Sequence, residues 1–390
     1  MSDQKNQKNN TDLLLEKIAI DSDLKEGKEA IKLILREIYR NGTIGTKQLA
    51  RRLFIPVPII AAVRKELEKE ELLARNNRGA ILTEKGINLV ESSLGIRYTK
   101  DLKCSICSGS GLELPIEAED LIQKQKEFSE KRPKPLTELD QAFGKPITAI
   151  SRAYMLLQNN DLEGKNILLL GDDDFTSLAI GLLKTSAKVT VLDIDQRLLD
   201  LIAQISEEYG FNINCLQADF REQIPANLIG KFDTIFTDPP YTIPGLKLFL
   251  SRALQLLKKE SNKKIYLAFV HKPPLEQLAI QELIVSMGLA IQELIPGFNL
   301  YEGAEMHGNT TYLCILATTE KTQILVEKEF SRKIYTGEVN PTIRQYQCKN
   351  GHVIKIGMSE EIKTIEDLKE IGCPLCHAKT DFIRISREKI

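Results

Sequence analysis

Between residues 165 and 270 short apolar runs alternate with stretches of helical periodicity, and this rhythm constrains the fold more than any other feature of the chain. The runs cover residues 166–170, 188–192, 212–216, 234–237 and 264–270. Each is too short to be a helix, and together they read as the buried strands of a sheet covered on both faces. Strands joined through crossover helices make a parallel sheet with helices on both faces. Two later runs, 292–296 and 312–317, are expected to close the sheet as a terminal pair.

A chain of 390 residues exceeds what one hydrophobic core usually supports, so this α/β unit is expected to share the chain with others. With 42% hydrophobic and 27% charged residues the composition is that of a globular protein, and a formal charge of -1 excludes a uniformly basic nucleic-acid binder. No run of eighteen apolar residues occurs, and the polar start MSDQKNQKNN has no apolar segment behind it, so a cytoplasmic protein without membrane contact is expected.

The reading divides the chain into a disordered tail (1–10), a winged helix-turn-helix domain (11–98), a C-x-x-C knuckle with connector (99–150), a Rossmann-like catalytic domain (151–322) and a C-terminal zinc-binding module (323–390). The winged-helix pattern is a short helix (47–53), the turn Phe54-Ile55-Pro56, a second helix (57–70) and a hairpin with Asn76-Asn77-Arg78-Gly79 at its tip. Reading DNA takes cationic residues on the second helix, yet its first half is Val57-Pro-Ile-Ile-Ala-Ala-Val63. That half is expected to be buried, and the module to be structural or dimerising.

In an open α/β sheet ligands bind beyond the carboxyl ends of the strands, and four of these ends carry acids. They are Gly171-Asp172-Asp173-Asp174, Asp193-Ile-Asp195, Asp219, and Asp238-Pro239-Pro240-Tyr241. A carboxylate about twenty residues beyond the first turn is placed to accept both hydrogens of a ribose diol, which selects Asp193, with Asp195 beside it. Asp219, at the third strand end, is expected to receive an adenine exocyclic amine.

The first loop departs from the usual nucleotide-binding turn, whose backbone N–H groups hold an anion. Gly171 opens a loop of three carboxylates, which repels anions and attracts an ammonium. S-adenosylmethionine carries a carboxylate there, whereas its decarboxylated form ends in a bare aminopropyl ammonium. The loop therefore points to the decarboxylated co-substrate. Adjacent acids also raise one another's pKa toward the range of a general base.

Asp238-Pro-Pro-Tyr241 has the form used to hold a nitrogen nucleophile. The acid and the Pro239 carbonyl accept N–H hydrogens and turn the lone pair outward, and the Tyr241 ring packs against the substrate or offers a cation–π face. Glu302, Glu305 and His307 form a further candidate substrate loop. The competing assignment is an S-adenosylmethionine-dependent N-methyltransferase acting on a nucleic-acid or protein amine; the acidic first loop argues against both that donor and a phosphate backbone.

Cys348-Lys-Asn-Gly-His352 and Cys373-Pro-Leu-Cys376 make two knuckles with the spacing of a closed tetrahedral zinc site, with His377 as the alternative fourth ligand. Cys104 and Cys107 form a further C-x-x-C pair, which joins either a symmetry mate or Cys373 and Cys376. Cys215 and Cys314 lie in apolar runs and read as packing residues.

With those residues in view, the stretch from Asp140 to Thr319 resembles the branched-chain polyamine synthase family. The likeness runs through Leu139-Asp-Gln-Ala-Phe-Gly-Lys-Pro-Ile-Thr148, Asp161-Leu-Glu-Gly-Lys165, Gly171-Asp-Asp-Asp-Phe-Thr-Ser177, Val191-Leu-Asp-Ile-Asp195, and Phe232-Asp233 leading to Thr237-Asp-Pro-Pro240. The resemblance implies transfer of aminopropyl groups from decarboxylated S-adenosylmethionine to the secondary amine of spermidine, with release of methylthioadenosine, in a homodimer. It implies that Asp173 meets the attacking amine. Asp172, Asp174 and Asp238 are then expected to complete the reaction site and hold the terminal ammoniums. Tyr241 departs from the family pattern and leans toward amino-methyltransferases.

Overall fold

Apolar residues recur every three or four positions along α2 (Gly27–Asn41), and in the computed structural model that face turns inward through Ile31, Ile34, Leu35 and Ile38, beside Leu15 and Ile18 from the second half of α1 (Ser2–Asp21). The structure describes residues 2–100, 103–104, 106–107, 109–302, 308–357 and 359–389, except for the side chains of 2–9, 366 and 389. Helix α1 begins at Ser2, within the segment expected from its polarity to be a disordered tail.

Next come α3 (Thr46–Leu53), α4 (Val57–Lys69) and the hairpin β1 (Leu73–Asn76)–β2 (Gly79–Leu82). The hairpin tip is set by Asn76, whose Oδ1 accepts from the N–H groups of Arg78 and Gly79 at 2.8 and 3.0 Å. A Cβ on Gly79 would lie 2.3 Å from the Ile44 carbonyl oxygen, so only glycine fits there. Helix α4 buries Ile60, Val63, Arg64 and Leu67 but exposes Pro58, Ala61 and Lys65. Its first half is therefore buried on one stripe and not throughout, as 3.6-residue periodicity allows.

Helices α5 (Glu84–Asn88), α6 (Ala118–Glu130) and α7 (Pro146–Gln158) lead to the α/β region. There β3 (Asn166–Leu170), α8 (Thr176–Leu182), β4 (Lys188–Asp193), α9 (Gln196–Tyr209), β5 (Ile213–Gln217), β6 (Thr234–Thr237) and α10 (Ile243–Leu256) alternate as the apolar rhythm requires. The four strands lie in the order β5-β4-β3-β6, and each adjacent pair is parallel. Every residue of β6 is buried, as is β3 beyond Asn166, as expected of strands covered on both faces.

The chain continues through β7 (Lys264–Phe269), α11 (Pro274–Ser286), β8 (Leu289–Leu300) and β9 (Thr310–Thr318), with the strands in the order β7-β9-β8. The last part holds α12 (Thr336–Val339), β10 (Thr342–Gln347), β11 (Val353–Ile356), α13 (Ile365–Ile371) and β12 (Ile383–Lys389), with β10 central in a three-stranded antiparallel sheet. Among the described residues no helix is long and apolar enough to cross a membrane.

The chain forms two compact units. One comprises Met1–Glu127, Phe143–Asn160 and Tyr266–Ala317, the other Phe128–Ala142, Asp161–Ile265 and Thr318–Ile390. In the first, the buried Arg152 donates from Nε to Asn299 Oδ1 and from Nη2 to the Tyr301 hydroxyl, both at 2.8 Å. There, too, His271 stacks on Phe54 with ring centroids 4.0 Å apart and accepts the Gly297 N–H at 3.4 Å. Burial pushes its pKa down to about 4, so it is neutral.

In the second unit Arg252 on α10 is fully buried and donates to the carbonyls of Phe220 (2.8 Å), Glu222 (3.0 Å), Val326 (3.3 Å) and Lys328 (2.7 Å). One guanidinium thus ties the segment after β9 to the loop after β5. Cys314 is buried on β9 and Cys215 half-buried on β5, and burial raises both thiols, to about 12 and about 11.

Candidate active site

The strand order β5-β4-β3-β6 places β4 and β6 on opposite sides of β3, and in open α/β sheets ligands bind beyond the carboxyl ends of the strands at such a switch point. The Gly171–Asp174 loop and Asp238 follow those two ends. Gly171 makes the turn at φ +76° while its N–H donates to Leu192 O at 2.8 Å.

Asp172 is tied to the helix that follows it. Its two oxygens accept the N–H groups of Thr176 (2.7 Å) and Ser177 (3.1 Å) at the start of α8, and only 3% of the residue is exposed. Burial raises its pKa to about 7. Asp172 thus caps α8 and fixes the loop.

Asp173 is half-buried and its pKa stands well above the carboxylate range, chiefly through burial and then through the charges of Asp174, Asp238 and Asp193. One cation opposes them. Arg132 Nη1 donates to the Asp173 carbonyl at 2.8 Å and lies 3.9 Å from Asp174 Oδ1, and the guanidinium sits 5.3 Å from the Phe175 ring centroid. Phe175 itself holds a left-handed φ of +57° just before α8. The sequence reading passed over Arg132, which lies in the connector about forty residues before the loop; the Lys131-Arg132-Pro133 run was its only trace.

Asp193, at the end of β4, has burial raising its pKa and accepts the N–H groups of Asp172 (3.0 Å) and Asp195 (2.8 Å), one on each oxygen. Each oxygen keeps a second lone pair, enough for a diol. Asp195 serves differently. It caps α9 and pairs with Arg197 at 2.7 Å, with Gln141 adding a bond at 3.1 Å; burial works against its charge, but Arg197 and Gln141 hold the carboxyl below the usual range.

Asp219 accepts three side-chain bonds from Arg221, at 3.0, 3.0 and 2.7 Å, and the Arg221 N–H at 2.9 Å. Asp219 is therefore one half of an ion pair, with the Arg221 Nε–H shared between its two oxygens. The Arg221 guanidinium lies 5.9 Å from the ring centroid of Tyr335, and the charges of Asp219 and Asp193 both act on that buried phenol. Tyr335 was not foreseen. It comes from a non-periodic stretch more than a hundred residues after β5.

At the end of β6 the Tyr241 hydroxyl donates to Asp238 Oδ1 at 3.0 Å, Pro239 and Pro240 are buried, and Thr242 caps α10 by accepting the Gly245 N–H at 3.0 Å. The acids expected at the strand ends thus lie in one unit. Glu302 is exposed and belongs to the other unit, and Glu305 and His307 lie outside the described residues.

Away from these acids, Cys348, His352, Cys373 and Cys376 bring four donor atoms within 4.8 Å of one another. His352 is the imidazole of this cluster and His377 is exposed, which settles the choice between them. Among the described residues Cys104 and Cys107 belong to no such group.

The sequence profile of the branched-chain polyamine synthase A C-terminal domain matches residues 120–370. The chain belongs to the branched-chain polyamine synthase family. Family members with curated names include the N(4)-bis(aminopropyl)spermidine synthases of Thermococcus kodakarensis and Methanocaldococcus jannaschii, each 34% identical over 249 residues, 63% of this chain and 70% of the relative. An uncharacterized Methanocaldococcus jannaschii protein is 43% identical over 386 residues, 99% of this chain and 96% of that one. The Thermus thermophilus branched-chain polyamine synthase, solved with N4-aminopropylspermidine and 5'-methylthioadenosine, shares the fold at a TM-score of 0.66, with 22% identity over 83% of this chain and 97% of the other.

Proposed function

We propose that this member of the branched-chain polyamine synthase family transfers aminopropyl groups from decarboxylated S-adenosylmethionine to the secondary amine of spermidine, with Asp173 as the general base. The observation that carries the reading is the charge of the first strand end. Asp173 stands among Asp174, Asp193 and Asp238 with Arg132 as the opposing cation, an environment that favours bound ammoniums and a protonatable carboxylate.

Spermidine is a polycation at neutral pH, so its central nitrogen must be deprotonated before it attacks. Asp173 takes that proton. The freed lone pair forms a bond to the propyl carbon, the carbon–sulfur bond breaks, and its electron pair returns to sulfur, converting the sulfonium to the neutral thioether methylthioadenosine. Asp174 and Asp238 balance the remaining ammoniums and hold the amine in line, while Tyr241 orients Asp238 through its hydroxyl.

On the donor side Asp193 takes the ribose diol, Gly171 lets the backbone pass close to the sulfonium, and Tyr335 offers an aromatic wall beside the Asp219–Arg221 pair. Asp195 supports this side through its cap on α9. The order of α3, α4, β1 and β2 supports a winged helix-turn-helix reading of the N-terminal region, with a structural role in place of DNA contact, since α4 exposes Pro58 and Ala61 alongside Lys65. A cytoplasmic homodimer completes the proposal on the strength of the family alone.

Incubation with spermidine and decarboxylated S-adenosylmethionine is expected to yield, by mass spectrometry, acceptor carrying one and then two added aminopropyl groups, with methylthioadenosine in equal amount. Methylated product from intact S-adenosylmethionine, with no turnover of the decarboxylated donor, would instead make the chain an N-methyltransferase, the reading that Asp238-Pro-Pro-Tyr241 favours.

A further inference from the structure

The C-terminal cysteines take no part in aminopropyl transfer, and two of them, Cys373 and Cys376, lie beyond residue 370, where the match to the family ends. Their arrangement is nonetheless specific. Cys348 closes β10 and His352 precedes β11 across a tight turn in which the Cys348 N–H donates to His352 O and the Gly351 N–H to Cys348 O, both at 2.9 Å, with Gly351 at φ +84°. Cys373 and Cys376 sit on a second such turn after α13, closed by the His377 N–H on Cys373 O at 2.7 Å and the Cys373 N–H on Ala378 O at 2.8 Å. Two separate backbone turns thus aim four donors at one point.

The spacings around that point decide what fits. Cys348 Sγ lies 3.7 Å from Cys376 Sγ, and His352 Nδ1 lies 3.6 Å from Cys348 Sγ and 3.7 Å from Cys373 Sγ. A disulfide needs sulfurs about 2.05 Å apart, so Cys348 and Cys376 are not joined by one, and Cys373 is free as well. Tetrahedral zinc with Zn–S of about 2.3 Å and Zn–N of about 2.0 Å places sulfurs about 3.8 Å apart and sulfur about 3.5 Å from nitrogen. The observed edges fall on those values.

Burial points the same way. Cys373 and Cys348 are 0% and 4% exposed, inside a small core completed by Tyr346, Ile354, Ile356, Ile362, Leu368 and Ala378. So few apolar side chains bury little surface for an antiparallel sheet of three short strands, and metal bonds offset that deficit. Three thiolates and an imidazole are a soft donor set that suits zinc over the oxygen-seeking magnesium or calcium.

We propose that Cys348, His352, Cys373 and Cys376 bind one structural zinc ion, which closes the C-terminal sheet and α13 into a single module. Four protein donors fill the tetrahedron, so no position is open for water or substrate, and the ion holds structure without entering the reaction.

The test compares metal content, by elemental analysis of the full chain, between the wild type, the double variant Cys373→Ser/Cys376→Ser, and Cys104→Ser/Cys107→Ser. The first double variant is expected to lose one zinc per chain and the second to keep that equivalent. Equal zinc in the wild type and the first variant overturns the proposal, as does loss of this equivalent in the second. Should the first variant fail to fold, the wild type reconstituted with cobalt(II) carries the test. Strong visible bands of a tetrahedral site with thiolate-to-cobalt charge transfer support the proposal, and the weak bands of an octahedral ion sink it.

Discussion

Asp173→Asn is expected to lower kcat by about 10²- to 10⁴-fold, the usual loss when a positioned base is removed, while adenosine binding measured with methylthioadenosine stays within a few-fold of wild type. The asparagine keeps the shape of the side chain but cannot accept the proton. Wild-type activity should rise with pH through a limb set by Asp173, well above the ordinary carboxylate range, because burial and its acidic neighbours disfavour the ionised form that the reaction needs. The sign for stability is the opposite. A carboxyl whose pKa is raised in the folded state favours folding fully only below the unfolded pKa, and that contribution is lost as pH rises through the raised folded value. At neutral pH the asparagine variant should therefore melt no lower than wild type. Full activity in this variant would remove Asp173 as the base.

Arg252→Met is expected to destabilise the protein by about 3 to 5 kcal/mol, since it strips the buried guanidinium's bonds from four carbonyls, of which that of Val326 keeps a long bond from Gln255 at 3.5 Å. In thermal unfolding this corresponds to a fall of roughly 10 °C in the transition that reports the α/β unit. Methionine matches the length of the arginine stem, so the effect isolates the lost donors from lost packing. A change below about 1 kcal/mol would mean that the segment carrying Val326 and Lys328 is held by other contacts.

Much of this fold was legible because buried parallel strands announce themselves as short apolar runs, and the acids that matter follow directly after them. Residues 166–170 and 234–237 were placed from composition alone, and the structure assigns strands at the same bounds. What stayed hidden came from segments without periodicity. Arg132 lies in a connector, Tyr335 in a non-periodic stretch after β9, and Arg252 on a mostly apolar helix. Their roles depend on long-range closure that no local pattern encodes.

A different limit applies to Asp172, Asp195 and Asp219. The residue types were read correctly as strand-end acids, yet each is spoken for by a near neighbour: the N–H groups of Thr176 and Ser177, Arg197, and Arg221. An arginine two places after an acid is visible in the sequence in both Asp195-Gln-Arg197 and Asp219-Phe-Arg221. That spacing is the local signal that separates a structural acid from a free one. Asp173 has no arginine two places on, and its acidic neighbours raise its pKa.

The selection of a positively charged donor arm by a negatively charged strand end is measured most directly by calorimetric titration of the protein with decarboxylated and intact S-adenosylmethionine under identical buffer and salt. The account predicts that the decarboxylated form binds more tightly by about tenfold or more, roughly 1.4 kcal/mol, with the gap narrowing as salt rises. Equal affinity, or tighter binding of the carboxylate-bearing form, would contradict it.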